Sequence, residues 1–255
     1  MSTLAGKVAW ITGGGTGIGR AGALALARLG VTVVVSGRSD KTLKETAELV
    51  KKAGGKVEIR KLDVADKKAA ARTAQAIEKK HGRIDILVNS AGTNVPNRSW
   101  EALTVEAWES VVRTNLDGMF YCCLAVLPGM RKRRDGLVIN ISSWFGKVVL
   151  PAAGPSYTAS KFGAGGMTET INAEEGRNGI RACTICPGEV ATPILLKRPI
   201  VPPKDEQDRM LQEEDLGRTI AFVASMPTRV CVNEIIISPS HNRFYGSRVL
   251  ETKKK

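Results

Sequence analysis

A chain of 255 residues, 43% of them hydrophobic, carries enough apolar material for one large α/β domain. The net charge of +13 suggests an anionic partner, yet the cations are spread along the chain and the aromatics, only 5%, are not interleaved with them as a base-stacking surface requires, which argues against nucleic acid. No apolar run reaches the ~18 residues that span a bilayer, so a membrane partner is not expected either.

The first residues, "MSTLAGKVAWITGGG", lack the basic region and long apolar stretch of a secretory signal, and a cytoplasmic protein is expected. Residues 7–12, "KVAWIT", then read as a strand that runs straight into Thr12-Gly13-Gly14-Gly15-Thr16-Gly17-Ile18-Gly19, and a helical pattern follows near 17–29. A strand, a glycine-rich turn and a helix N-terminus together form a phosphate cradle, because glycine lets the backbone come close and the helix offers unpaired N–H groups. The register that fits the strand is T-G-x-x-x-G-x-G, on Gly13, Gly17 and Gly19, rather than the G-x-G-x-x-G that begins at Gly17.

Further strands are expected at 31–37, 56–62, 84–90, 136–142, 180–186 and 232–238, and further helices near 40–53, 66–82, 105–133, 155–178 and 213–225. Glycines at 30, 54, 82 and 179 stand where helices should stop. This alternation implies a parallel sheet covered on both faces, in a single domain over residues 1–255. The second strand ends in "VVVSGRSD", with Gly37 and Arg38 where dinucleotide folds place a ribose-binding acid. Losing that carboxylate removes repulsion of a 2′-phosphate, and a guanidinium grips one, so NADP(H) is favoured over NAD(H). Ser36 and Ser39 are candidates for extra hydroxyl donors, while Thr16 supplies no second cation in the glycine loop.

The basic run "RKRR" at 131–134 reads as a helix C-terminus, where cations suit the helix dipole, and the terminal "KKK" as a solvated tail. Cys183 and Cys186 form a C-x-x-C inside a strand, without the helix N-terminus that a redox pair needs, and five scattered cysteines fit a reducing compartment. Residues 193–212, rich in proline and charge, break the rhythm and are expected to form a substrate lid. Between these lies "SYTASK", in which Tyr157 and Lys161 share one helix face with Cβ atoms roughly 5–6 Å apart.

The glycine loop, "NSAG" at 89–92, Asn115, "SSWFG" at 142–146, "YTASK" at 157–161 and "CPGEVATP" at 186–193 together resemble the short-chain dehydrogenase/reductase family, in the family's order and over residues 7–193. The resemblance implies a doubly wound Rossmann fold with a seven-stranded parallel sheet. It also implies an NAD(P)-dependent enzyme that interconverts a secondary alcohol, or hydroxy acid, and its carbonyl compound. A non-catalytic dinucleotide-sensing regulator or scaffold on the same fold is the alternative, but such proteins typically lose the tyrosine or lysine that this chain keeps.

By that resemblance Tyr157 is the proton donor and acceptor, with its pKa pulled down by Lys161 and by an oxidised nicotinamide. Lys161 also holds the nicotinamide ribose, Ser143 orients the substrate oxygen, and Asn115 anchors a water in a proton relay. The cofactor is expected against Gly13, Thr16, Gly17, Ile18, Gly19 and Arg38, with Asp63 and Val64 at the adenine. Asn89, Ala91 and Gly92 resemble the floor under the adenosine ribose, and Pro187, Gly188, Val190 and Thr192 the carboxamide site. A homodimer or homotetramer is implied, although the ending "VNEIIISPSHNRFYGSRVLETKKK" departs from the family's usual C-terminal signature. Ala159, Gly163 and Gly166 form a small-residue stripe that permits close helix approach.

Overall fold

The computed structural model describes residues 4–198 and 200–242. Seven strands, β1 (Val8–Thr12), β2 (Thr32–Gly37), β3 (Val57–Lys61), β4 (Ile86–Asn89), β5 (Gly136–Ile141), β6 (Ile180–Pro187) and β7 (Glu234–Ile237), form one sheet in the order β3-β2-β1-β4-β5-β6-β7. All six pairings are parallel, and Trp10 on β1 stands opposite Val34 on one side and Leu87 on the other. The eight helices of the described residues are α1 (Gly17–Arg28), α2 (Asp40–Lys52), α3 (Lys67–His81), α4 (Val105–Val112), α5 (Gly118–Arg133), α6 (Pro155–Glu175), α7 (Lys204–Asp208) and α8 (Glu213–Ser225).

Because successive side chains of a strand point to opposite faces, each central strand feeds two cores. Ala9, Ile11, Val33 and Val35 pack under α1, α2 and α8 with Leu26, Leu43 and Leu216. Trp10, Val34, Leu87 and Val138 pack under α3, α5 and α6 with Ile77, Met130 and Ile171. Local signals set the helix ends. Asp66 caps α3 by accepting from the N–H groups of Lys68 and Ala69, and Thr104 caps α4 through Ala107 N–H. The basic run closes α5, with Arg134 in the left-handed region at φ 52°. There Arg131 donates to both Glu175 oxygens, at 2.8 and 2.5 Å, tying the ends of α5 and α6 together.

The expected helix over 105–133 is in fact two. A wide π turn at Arg113–Asp117 separates α4 from α5, and the fully buried Asn115 sits within it. Such an extra-residue turn rotates one side chain off the regular helix face, a device that recurs at functional sites. The helix expected to reach 178 ends at Glu175 and closes in a 3₁₀ turn over Gly176–Asn178. The small-residue stripe is used only at its middle member. Gly163 faces Leu116, whereas Ala159 and Gly166 are exposed. Cys183 and Cys186 are buried in β6, where burial pushes their thiols up to about 12 and about 11, so neither is a ready thiolate. The terminal lysines lie outside the described residues. Among the described residues no helix is long and apolar enough to cross a membrane.

The order of the sheet reverses between β1 and β4, so crossovers leave on opposite faces and open a crevice at the strand carboxyl ends. The glycine loop, the segment after β4, the turn after β5 and the segment after β6 all meet there.

Candidate active site

A cavity of about 450 Å³ occupies that crevice. Gly13, Thr16, Gly17 and Ile18 form one end, and two glycines explain how the loop folds so tightly. Gly13 has φ +64°, and a Cβ there would press on the Ser90–Ala91 backbone at 2.8 Å. Gly19 is covered by the Gly13 carbonyl, with no space for a side chain. The Glu213 carboxylate, at the first residue of α8, stands close to this loop, with its Oε1 4.0 Å from where a Gly17 Cβ would be. The glycine turn, bare of side chains and leading into the N-terminus of α1, would present backbone N–H groups to a diphosphate. The residues present therefore fit a dinucleotide.

At the other end, Ser143 begins the turn after β5, its hydroxyl accepts from Phe145 N–H at 3.2 Å, and it lines the cavity together with Tyr157. Ser142 is turned away, donating to the Lys161 carbonyl at 2.8 Å. Lys161 is buried, and its ammonium donates to the Ile141 carbonyl at 2.8 Å, 5.5 Å from the Tyr157 ring centre. Asn115 does not line the cavity. Its Oδ1 accepts from Thr93 N–H at 2.8 Å and its Nδ2 donates to the Thr93 carbonyl and the Ser160 hydroxyl. Gly92 stands between Asn115 and Lys161, so that a Cβ there would lie 3.6 Å from Asn115 Oδ1 and 3.8 Å from Lys161 Nζ.

Pro187, Gly188, Val190 and Thr192 line the cavity, and the Thr192 side chain lies 3.5 Å from where a Gly17 Cβ would be. Gly92 also lines it, next to Ser90. Asn89 does not form its floor, because its buried amide donates to Asn140 at 2.9 Å and to Cys123 at 3.3 Å, locking β4 to its neighbours. Ala91 lies behind the wall, where its N–H meets Thr12 Oγ1. Arg38 and Asp63 lie outside the cavity, exposed beyond β2 and β3, while Val64 is buried against Gly118. Ser36 is not available to a cofactor, since it is buried and accepts from Trp10 Nε1 at 2.9 Å.

The electrostatics correct one expectation. Burial dominates at Tyr157 and raises its pKa, and the groups that pull against burial are Ser143, Arg198 and Arg98 rather than Lys161. Lys161 itself is driven down to about 8 by burial. The lysine is bound to a carbonyl and set off from the phenol, so its charge does little for the phenolate in this arrangement. Sequence reasoning missed Arg98, Thr93 and Glu213. Arg98, in "NVPNRSW", carries no motif that could have flagged it.

The sequence of residues 7–199 matches the model of the short chain dehydrogenases, three quarters of the chain. The chain belongs to that family. It is 34% identical to an uncharacterised oxidoreductase of Staphylococcus saprophyticus, across 94% of this chain and 100% of that one. It is 33% identical to the 3-oxoacyl-[acyl-carrier-protein] reductase FabG of Thermotoga maritima, across 91% and 96%. Among solved structures, a metagenomic short-chain oxidoreductase in complex with NADP superposes with a TM-score of 0.82 at 28% identity, covering 94% of this chain and 99% of that one. An alcohol dehydrogenase from Thermococcus sibiricus complexed with 5-hydroxy-NADP gives a TM-score of 0.83 at 26% identity, covering 93% and 98%. This short-chain dehydrogenase is thus a Rossmann-fold, NAD(P)-dependent oxidoreductase acting on CH–OH groups.

Proposed function

We propose that this chain interconverts a secondary alcohol and its carbonyl compound with Tyr157 as the proton-transfer group, and that it prefers NADP(H). The observation that carries this reading is that Ser143, Tyr157 and Lys161 line one cavity, with the Lys161 ammonium 5.5 Å from the phenol ring. When bound, the nicotinamide supplies hydride to the carbonyl carbon or accepts it from the alcohol carbon. During reduction Tyr157 gives its proton to the carbonyl oxygen, whose growing charge Ser143 also stabilises. Oxidation reverses both transfers. Lys161 holds the ribose, and Asn115 keeps Thr93 and the turn beneath Gly92 in place while anchoring the water that returns protons from solvent.

Arg38 supports the preference for NADP(H), since it stands exposed at the end of β2 with no carboxylate at Gly37. Ser39 caps α2 through Thr42 N–H, leaving Arg38 as the group that grips a 2′-phosphate. Wild-type protein binding NADH as tightly as NADPH would refute that assignment. Residues 193–212 act as the lid. The five thiols are free, which suits the cytoplasm. Phe120, Leu124 and Phe162 are exposed on α5 and α6, apolar surface that a second copy of the chain covers in a homo-oligomer.

The test is NADPH oxidation against a panel of ketones, aldehydes and oxo acids, in wild type and Tyr157→Phe. At least one carbonyl compound should be turned over, and the variant should lose at least 10³-fold in kcat while binding cofactor as before. Activity retained in Tyr157→Phe would sink the mechanism. Cofactor binding with no turnover of any compound would favour a dinucleotide-sensing scaffold.

A further inference from the structure

Four charged side chains line the cavity, the cations Arg98, Lys161 and Arg198 and the carboxylate Glu189. Arg198 is matched, since its Nη1 donates to Glu189 Oε1 at 2.6 Å. Lys161 donates to the Ile141 carbonyl and is the cation assigned above to the cofactor ribose. Arg98 differs from both. Its Nη2 donates to the Lys197 carbonyl at 2.7 Å and its Nη1 reaches the Ala152 carbonyl at 3.4 Å. Its Nε is buried with no hydrogen-bond partner, and it pairs with no carboxylate among the described residues. Carbonyl oxygens satisfy N–H groups but neutralise nothing, so a half-buried positive charge is left facing the cavity. An arginine does not escape such a position by deprotonating. Burial first, and then Arg198, work against its charged form, while Tyr157 is the one neighbour that favours it.

We propose that the substrate carries a carboxylate near its reacting carbon, and that Arg98 holds this carboxylate on the wall of the cavity shared with Tyr157. Arg198, fixed by Glu189, stands beside it as a second cation. The inference rests on the reductase reading and names its substrate class as short oxo acids and their hydroxy acids. An oxo acid gains hydride at carbon from the reduced nicotinamide and a proton at oxygen from Tyr157, giving the hydroxy acid and oxidised cofactor. Three features favour a compact monoanion over a phosphate ester. Arg198 is already neutralised by Glu189, so one uncompensated guanidinium remains in this corner. A carboxylate matches that single charge, whereas a phosphate monoester carries nearly two. About 450 Å³ must also admit the nicotinamide end of the cofactor, which leaves space for only a few carbons.

The experiment compares 2-oxobutanoate, 3-oxobutanoate and 4-oxopentanoate with the methyl ester of each, using NADPH and wild type, Arg98→Gln and Arg98→Lys. In wild type at least one acid should exceed its ester in kcat/KM by tenfold or more. That ratio should fall about ten- to a hundredfold in Arg98→Gln, the weight of one charge-assisted hydrogen-bonding group, and recover in part in Arg98→Lys. Binding of the same compounds to NADP-saturated Tyr157→Phe, read by tryptophan fluorescence with Trp144 in the cavity wall, measures anion recognition without turnover. Acids that bind no better than their esters, or inorganic phosphate that displaces them at lower concentration, overturn the proposal. Turnover of esters without preference for any acid overturns it while leaving the reductase reading intact. Selective acid binding, lost in Arg98→Gln, without turnover of any compound supports the anion site and removes the reductase reading instead.

Discussion

Lys161 illustrates how burial alone can bring a side chain into the working pH range. Its value of about 8, against an ordinary 10.5, means that the protein without cofactor loses this ammonium as pH rises through about 8. An anionic cofactor binds the charged form better, so NADPH affinity should decline above pH 8 and level off once the lysine is neutral. Lys161→Met should bind more weakly at pH 7 and show no such step. A wild-type affinity flat from pH 7 to 9.5 would contradict this role. Tyr157 differs in that Ser143, Arg198 and Arg98 are the groups that pull against its burial, so under the proposed carboxylate site anion recognition and proton transfer would share the same charges.

At the scale of elements, the join between α5 and α6 matters because α6 carries both Tyr157 and Lys161. Hydrogen bonds from Arg131 are the main reason that Glu175 titrates at about 2 rather than 4.5. A carboxylate with a depressed folded pKa contributes stability that is fully present above about 4.5 and is lost as pH falls toward 2. Arg131 is nearly half exposed, so water screens the pair and Arg131→Gln should cost only about 1 kcal/mol at pH 7. That corresponds to a melting temperature lower by about 2–4 °C. The gap between variant and wild type should narrow below pH 4, and a gap that widens there would reject the assignment.

The strands and most helices were legible because apolar runs and glycine stops report local periodicity. The π turn was not, since its cause is a tertiary bond from Asn115 to the Thr93 backbone, 22 residues away. Ser143 could be told from Ser142 by its spacing to Gly146, and the two do face different partners. Arg98 could not be read at all, because its place depends on carbonyls at 152 and 197 that the sequence does not bring together.

For the whole molecule, Phe120 and Leu124 lie one turn apart on α5, 48% and 55% exposed, and Phe162 of α6 is exposed as well. Leu124→Glu puts a charge into the centre of that surface and should shift the protein to smaller species in analytical ultracentrifugation. An unchanged sedimentation profile would place the contact elsewhere. The approach of Glu213 to the glycine loop joins distant parts of the chain, since α8 follows residues 193–212 while Gly17 opens α1. A dinucleotide diphosphate placed in the glycine loop would lie close to this carboxylate, and the two negative charges would repel. Such repulsion would speed the release of spent cofactor at the expense of grip. Glu213→Gln should hold NADP about fivefold more tightly and release it correspondingly more slowly in stopped-flow chase, the weight of one charge at a helix N-terminus. If turnover is limited by cofactor release, the tighter-binding variant should be the slower enzyme.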